Sequence, residues 1–338
     1  MTIIVNLLRG VAIGLANIIP GVSGGTMALI LGIYQRLITA IGNLGPRTVK
    51  SLFQGRAAFA EEMKRIDLLF LATLGVGALG AIVAVARLMT YLLEHRHDPT
   101  YGFFFGLVLV SVVVPYRMIK RKSAGAVVAC LVAIAMVVGL TMAMTGAEKL
   151  ASAQKKAALK AEAAQLHQGS GPAAGAAAVD VVPRDPGTML LFFIAGAVAI
   201  SAMILPGISG SFMLLLMGVY FDVLACITGR QFLMLAVFAA GCGLGLVLFT
   251  RLLKRLLDRF ADVTMAFLLG LVLGSLYAIW PFKSFGMAGE QRVDMDNILP
   301  ATFGHNEVLT LVATLAGCAI VAVFVWIEIR QERRRVTT

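Results

Sequence analysis

The chain has 338 residues, of which 59% are hydrophobic and 14% charged, and it carries a formal charge of +11. Soluble domains hold roughly 25% charged residues, so composition excludes an ordinary soluble domain; several nearly uncharged runs of about 18–25 residues are long enough to cross a bilayer as helices. The basic balance does not mark a nucleic-acid binder, because Lys and Arg fall mostly between the apolar runs, where they set topology, and no nucleic-acid motif accompanies them.

In chain order, the first half reads as one interrupted segment over 3–42, then spans at 67–93, 101–116 and 124–146. The interruption is "NIIPGVSGGTMALILGIY", residues 17–34. Pro20 stops the incoming helix. Gly21, Gly24 and Gly25 let the chain turn and let a ligand approach the backbone. A new helix is expected to start near Thr26, where free N–H groups and the helix dipole favour an anion, and Ser23 adds a hydroxyl without bulk. Residues 147–187, rich in Ala, Lys, Gly and Pro, read as a linker, helical in its Ala/Lys/Glu part and flexible in its Gly/Pro part, with little chemistry expected there. The second half repeats the plan, with an interrupted segment at 189–228 and spans at 231–250, 263–281 and 308–328.

The second interruption, "MILPGISGSFMLLLMGVY" at 203–220, is a copy of the first. A shift of 186 residues lays Pro20, Gly21, Ser23, Gly24, Met27, Leu29, Gly32 and Tyr34 on Pro206, Gly207, Ser209, Gly210, Met213, Leu215, Gly218 and Tyr220. A shift of 164 lays Gly77 on Gly241, Arg87 on Arg251 and "GLVLVS" on "GLVLGS". The chain therefore divides into a first repeat at 1–146, the linker at 147–187 and a second repeat at 188–338.

Charge sets the orientation. "RRR" at 333–335 places the C-terminus in the cytoplasm, and the loops at 251–262, 117–123 and 43–66, with four, four and five Lys/Arg, then fall on the same side. The short loops at 94–100, 229–230 and 282–307 hold one, one and two and fall outside. This requires each broken segment to enter and leave on one side, as a re-entrant pair of half-helices or as a full hairpin. The fold expected is an all-α polytopic membrane protein of two inverted-topology repeats, each with a Pro/Gly-broken helix pair plus three transmembrane helices, both termini cytoplasmic.

Irregular backbone in a bilayer belongs where protein or a water-filled cavity covers it, so the two breaks are the candidate binding region for an oxygen-rich anion. Arg36, Arg87 and Arg251 lie in or beside apolar segments, where charge is expensive and usually functional; Arg87 and Arg251, at matching repeat positions, would mark the outer and cytoplasmic mouths. Asn17 is a further polar contact whose counterpart is Met203. Asp222 matches Arg36 by repeat position and reads as a helix-end residue or a coupling site. Trp280, Tyr91 and Tyr101 read as interface anchors. The competing explanation for the small residues is close helix packing, which suits Gly32 and Gly218 well. "GVSGG" also fits the G-x-S-x-G elbow of hydrolases, a weak match between membrane helices with all four histidines in outer loops. The four cysteines sit inside apolar runs as packing residues. No catalytic residue, metal ligand set or cofactor is expected.

"GLANIIPGVSGGTMALILGIYQRLI" and "ISAMILPGISGSFMLLLMGVY" resemble the polyprenyl-phosphate transporter family of bacteria and archaea. The resemblance covers nearly the whole chain and departs from it at the extended linker. It implies return of undecaprenyl phosphate, a polyprenyl phosphate, from the outer to the cytoplasmic leaflet of the bacterial inner membrane, recycling a carrier lipid of cell-envelope synthesis. It also implies that Ser23, Gly24, Gly25, Thr26, Ser209, Gly210 and Ser211 meet the head group while the tail stays among membrane lipids. With no ATP-binding motif, the expectation is a secondary-type translocase and not an enzyme, with a proton or sodium ion as the candidate coupling ion; oligomeric state is not legible. The alternatives are a small-anion channel or exchanger, and an intramembrane lipid phosphatase or serine hydrolase.

Overall fold

Long apolar runs become long helices. The computed structural model describes residues 2–18, 23–143, 148–155, 158, 182–288, 291–300 and 302–336. The first half contributes α1 (Thr2–Ile18), α2 (Gly24–Ile30), α3 (Tyr34–Gly42), α4 (Pro46–Ser51), α5 (Arg56–Arg65), α6 (Leu68–His95), α7 (His97–Ser111), α8 (Val113–Met118) and α9 (Ala124–Met142). The second contributes α10 (Pro186–Ile204), α11 (Gly210–Leu216), α12 (Tyr220–Thr228), α13 (Phe232–Arg259), α14 (Ala261–Ala278) and α15 (His305–Val336). Among the described residues, seven helices are long and apolar enough to cross a membrane, with α7 and α8 counted as one, and α11 and α12 form a pair bent by 110° at the second break, a broken span or a re-entrant loop. Outward-facing apolar side chains such as Val83, Leu79 and Leu315 are more than half exposed, as lipid contact requires. The protein is a multi-pass, mainly helical membrane protein.

The all-α expectation fails at one place. Between α14 and α15 the chain forms an antiparallel hairpin, β1 (Lys283–Ala288) and β2 (Gln291–Asn297). Its sequence alternates Phe285 and Met287 on one strand with Val293 and Met295 on the other, a period-two signal that the length of the outer loop obscured. The expected linker is helical at 148–155, in its Ala/Lys part; residues 159–181 lie outside those described, and Pro186 and Gly187 already belong to the first turn of α10.

Small residues bring the spans together. α1 packs on α6 with Gly10 facing Gly77, and α10 packs on α13 with the repeat-matched Gly196 and Gly241 against the partner's carbonyls. A side chain at any of these would strike backbone, which is the close approach small residues permit between membrane helices. The remaining spans cross over. α9, the last span of the first half, packs on α14, with Cys130 O against Gly270, and α15 packs on α7, with Thr314 O against Gly106. The last span of each half thus packs along one face on the other half, with its remaining surface exposed.

Gly32 and Gly218 are not packing glycines. Both have left-handed backbone, φ of 66° and 72°. Gly32 N donates to Leu29 O and Ile33 N to Ala28 O; Gly218 N donates to Leu215 O and Val219 N to Leu214 O, all at 2.9–3.0 Å. This double bond pattern is the glycine-terminated helix stop. A Cβ on Gly218 would meet nothing within 4 Å, so conformation and not space selects glycine there.

Candidate functional site

The two breaks meet at the centre of the fold. α10 ends because Leu205, the residue before Pro206, is extended (φ −69°, ψ 135°). Its last carbonyls need partners, and residues of the first break supply them. Ser23 Oγ donates to Leu205 O at 3.1 Å, and Tyr34 Oη donates to Ile204 O at 3.3 Å. In return Thr26 Oγ1 accepts from Gly207 N at 3.1 Å. Gly25 lies so close that a Cβ would strike Ile204 O.

The helix starts differ. α2 begins at Gly24, two residues before the expected Thr26. Ser23 Oγ accepts from Gly25 N at 3.1 Å, and Asn17 Oδ1 accepts from Gly24 N at 2.9 Å. The Gly24 and Gly25 amides at this helix start are taken by the protein itself, and Ser23 is 6% exposed. α11 begins at Gly210 without a side-chain cap from Ser209. Ser209 Oγ instead lies 2.9 Å from Ser211 Oγ. Pro20 and Gly21 lie outside the described residues.

A cavity of about 730 Å³ joins the two breaks, with Asn17 and Ser23 from the first and Ser209, Gly210 and Ser211 from the second on its wall. Gly24, Gly25 and Thr26 sit behind that wall, in the contact between breaks. The sequence reading missed the charged part of the lining, Lys149, Lys283, Asp294 and Asp296, and Tyr101 beside it. Lys149 belongs to the segment from which little chemistry was expected; its Nζ donates to Met295 O at 3.2 Å. Lys283, at the start of β1, donates to Ala278 O at 2.6 Å and lies 5.4 Å from the Tyr101 ring centroid. Burial pulls the Lys283 ammonium below the usual lysine range, with Asp294 opposing that shift. Tyr101 is not an interface anchor: it is 5% exposed and stacks on His97 with centroids 4.5 Å apart.

Asp294 is held from behind. His97 Nε2 lies 3.1 Å from its Oδ2, and Arg292 Nε lies 3.4 Å from its Oδ1. Burial alone raises its pKa; the hydrogen bond with His97 and the nearby His97, Lys283 and Arg292 outweigh burial and keep it below the ordinary carboxylate value. His97 Nδ1 and Arg292 Nη2 both reach Asp98 Oδ1, at 2.9 and 3.0 Å, which ties the hairpin to the start of α7.

Two of the arginines expected at the site, Arg36 and Arg251, make their contacts elsewhere. Arg36 pairs with Asp67 at 2.7 Å and covers the Phe70 ring at 4.2 Å. Arg251 donates from Nε to Gly42 O at 3.2 Å and from Nη2 to Leu44 O at 2.5 Å, so it caps the C-terminal end of α3 from α13. Arg87 lies in α6, and its side chain is outside those described. At the same end Glu62, 2% exposed, binds Arg65 at 2.6 Å and Thr48 at 2.7 Å, and Asn43 exchanges hydrogen bonds with the backbone and side chain of Arg65. No group of three or more metal-ligating side chains occurs among the described residues.

Residues 13–295 match the family described as undecaprenyl phosphate translocase-like. A polyprenyl-phosphate transporter of Vibrio cholerae is 36% identical over 327 residues, covering 93% of this chain and 93% of that protein. A polyprenyl-phosphate transporter of Staphylococcus aureus is 31% identical over 288 residues, covering 82% of this chain and 86% of that protein. No solved structure matches.

Proposed function

The chain belongs to the undecaprenyl phosphate translocase-like family, and we propose that it moves undecaprenyl phosphate, or a similar polyprenyl phosphate, from the outer to the cytoplasmic leaflet of the bacterial inner membrane, recycling the carrier lipid of envelope synthesis. The observation that carries this reading is the shared cavity: hydroxyls and amides at the open start of α11 face the same space as Lys283 and Lys149. A phosphate head there receives charge-assisted hydrogen bonds, and the prenyl tail stays in lipid.

The repeats are inverted in this reading, with the basic loops and both termini on the cytoplasmic side. The matched glycine contacts of α1–α6 and α10–α13 support a common ancestor for the halves. In this reading the cavity, lined by hairpin residues, belongs to the outer side, and the clasp of Arg251 on α3 belongs to the basic-loop, cytoplasmic end. Transport is of the secondary type, driven by lipid mass action or an ion gradient.

Deletion of the gene, in a strain without redundant carriers, should increase undecaprenyl phosphate on the outer surface, read by an impermeant head-group label. An unchanged surface pool refutes the reading. The hydrolase alternative lacks support at Ser23, whose hydroxyl engages backbone groups. Anion flux through proteoliposomes without lipid movement would favour a channel.

A further inference from the structure

A fixed carboxylate in an anion cavity needs a reason. Among the described residues, the charged side chains on the cavity wall are two lysines, Lys149 and Lys283, and two aspartates, Asp294 and Asp296. A wall built only to attract phosphate would hold no acids, since like charges repel across a site of low dielectric. Asp294 is not a loose surface group. Its side chain is 20% exposed, and His97 and Arg292 grip it from α7 and β2 respectively. His97 and Arg292 are themselves fixed by Asp98, which also accepts from Asn306 Nδ2 at 2.9 Å. The carboxylate is thus clamped on the side away from the cavity, and what remains accessible shares that space with Lys283 and Ser209.

We propose that Asp294 is a specificity-determining residue that limits the head group to a single phosphate. This rests on the reading of the cavity as the head-group site. One phosphate meets Lys283 and the α11 hydroxyls with its charge satisfied. A second phosphate adds negative charge beyond what Lys283 and the α11 hydroxyls accept, and it meets the Asp294 carboxylate, which His97 and Arg292 hold in place. The competing role is purely mechanical: Asp294 fastens the hairpin to α7. The two roles separate because Asp294→Asn keeps an oxygen acceptor for His97 and removes the charge.

The test uses the full chain purified in detergent, with farnesyl phosphate and farnesyl diphosphate as probes, their dissociation constants measured at one pH and salt concentration. The wild type should prefer the monophosphate by about tenfold or more. D294N should narrow that preference below about threefold by gaining affinity for the diphosphate. A wild type without preference, or a D294N variant that loses affinity for both probes in equal proportion, overturns the proposal and leaves Asp294 as a fastener. If D294N does not fold, the wild-type ratio read from about 0.05 to 1 M salt decides: a preference of electrostatic origin shrinks as the charges are screened, and a constant ratio refutes it. Binding of neither probe to the wild type overturns the head-group reading itself, and this proposal with it; binding of both with an unmoved ratio overturns the proposal alone.

Discussion

Replacing Arg251 with Met tests whether the clasp on α3 holds one end of the protein shut. Arg251 spans from α13 to Gly42 O, the last carbonyl of α3, and to Leu44 O two residues beyond it, so it serves acceptors that the helix end cannot satisfy itself. A hydrogen bond to a charged group contributes about 1.5–3 kcal/mol, and a cation at a helix C-terminus adds about 0.3–1 kcal/mol. The site is only part-buried, so about 2–3 kcal/mol for the whole clasp is a fair figure, and a shift of that size changes a local opening equilibrium by about 30- to 150-fold. Met keeps the length of the stem and removes the donors. Hydrogen exchange of the segment 34–45, measured by mass spectrometry in detergent, should accelerate by that factor while α14 and α9 are unaffected. Arg251→Lys, with one compact ammonium for two carbonyls, should fall between. Equal exchange of the α3 segment in wild type and R251M would refute the clasp.

The two repeat-matched serines should behave differently. Ser23→Ala removes both the cap on Gly25 N and the donor to Leu205 O and should cost about 1–2 kcal/mol in thermal or denaturant unfolding, whereas Ser209→Ala should leave stability within about 0.5 kcal/mol and weaken farnesyl phosphate binding about three- to tenfold; equal effects on stability would contradict the asymmetry of the breaks. Lys283→Gln should weaken the same ligand by about ten- to a hundredfold, and a change below about threefold would remove Lys283 from the site. Glu62 is held at a pKa of about 2, chiefly by the hydrogen bond from Arg65, with Thr48 and Arg47 adding to it. A depressed carboxylate stabilises the fold above its ordinary pKa near 4.5 and loses that contribution as pH falls toward 2. Protease sensitivity of the 47–65 segment should therefore rise between pH 4.5 and 2 in the wild type, and Glu62→Gln should be sensitive already at neutral pH with a flat profile.

The spans were legible because apolar length is a strong signal: α6, α9, α10 and α14 fall within a few residues of the expected segments. The pairing of Gly32 with Gly218 was legible because a helix stop with left-handed backbone demands glycine, and both have that backbone. Chemistry at the site was less legible. Lys283 and Asp294 reach the cavity through a hairpin whose alternation is short, and Lys149 arrives from a segment that composition marks as linker. Conversely, Arg36 and Arg251 looked exceptional because they border apolar runs, yet each is satisfied locally, by Asp67 and by the end of α3. An arginine beside a hydrophobic run carries no information about its partner, and an acceptor as ordinary as a helix-terminal carbonyl is enough to place it there.

One exchange of side chains explains why two copies of a motif came to do different work. At α2 the amide of Gly24 is capped by Asn17. At the matching place before α11 the residue is Met203, which has no oxygen to offer the amide of Gly210 and whose Cβ would lie 3.5 Å from a Cβ at that glycine. Ser23, beside the capped amide, turns to the carbonyl end of α10 and is buried; Ser209 makes no cap and faces the cavity with Ser211. A break whose amides are satisfied internally serves as a strut for its twin, and a break left uncapped must be satisfied from the cavity, by water or by an anion. Two equal breaks, both capped, would leave no polar floor; two uncapped ones would leave the C-terminal carbonyls of α10 without donors in the middle of a membrane. The inequality of Asn17 and Met203 is therefore what lets a duplicated interruption be at once stable and receptive.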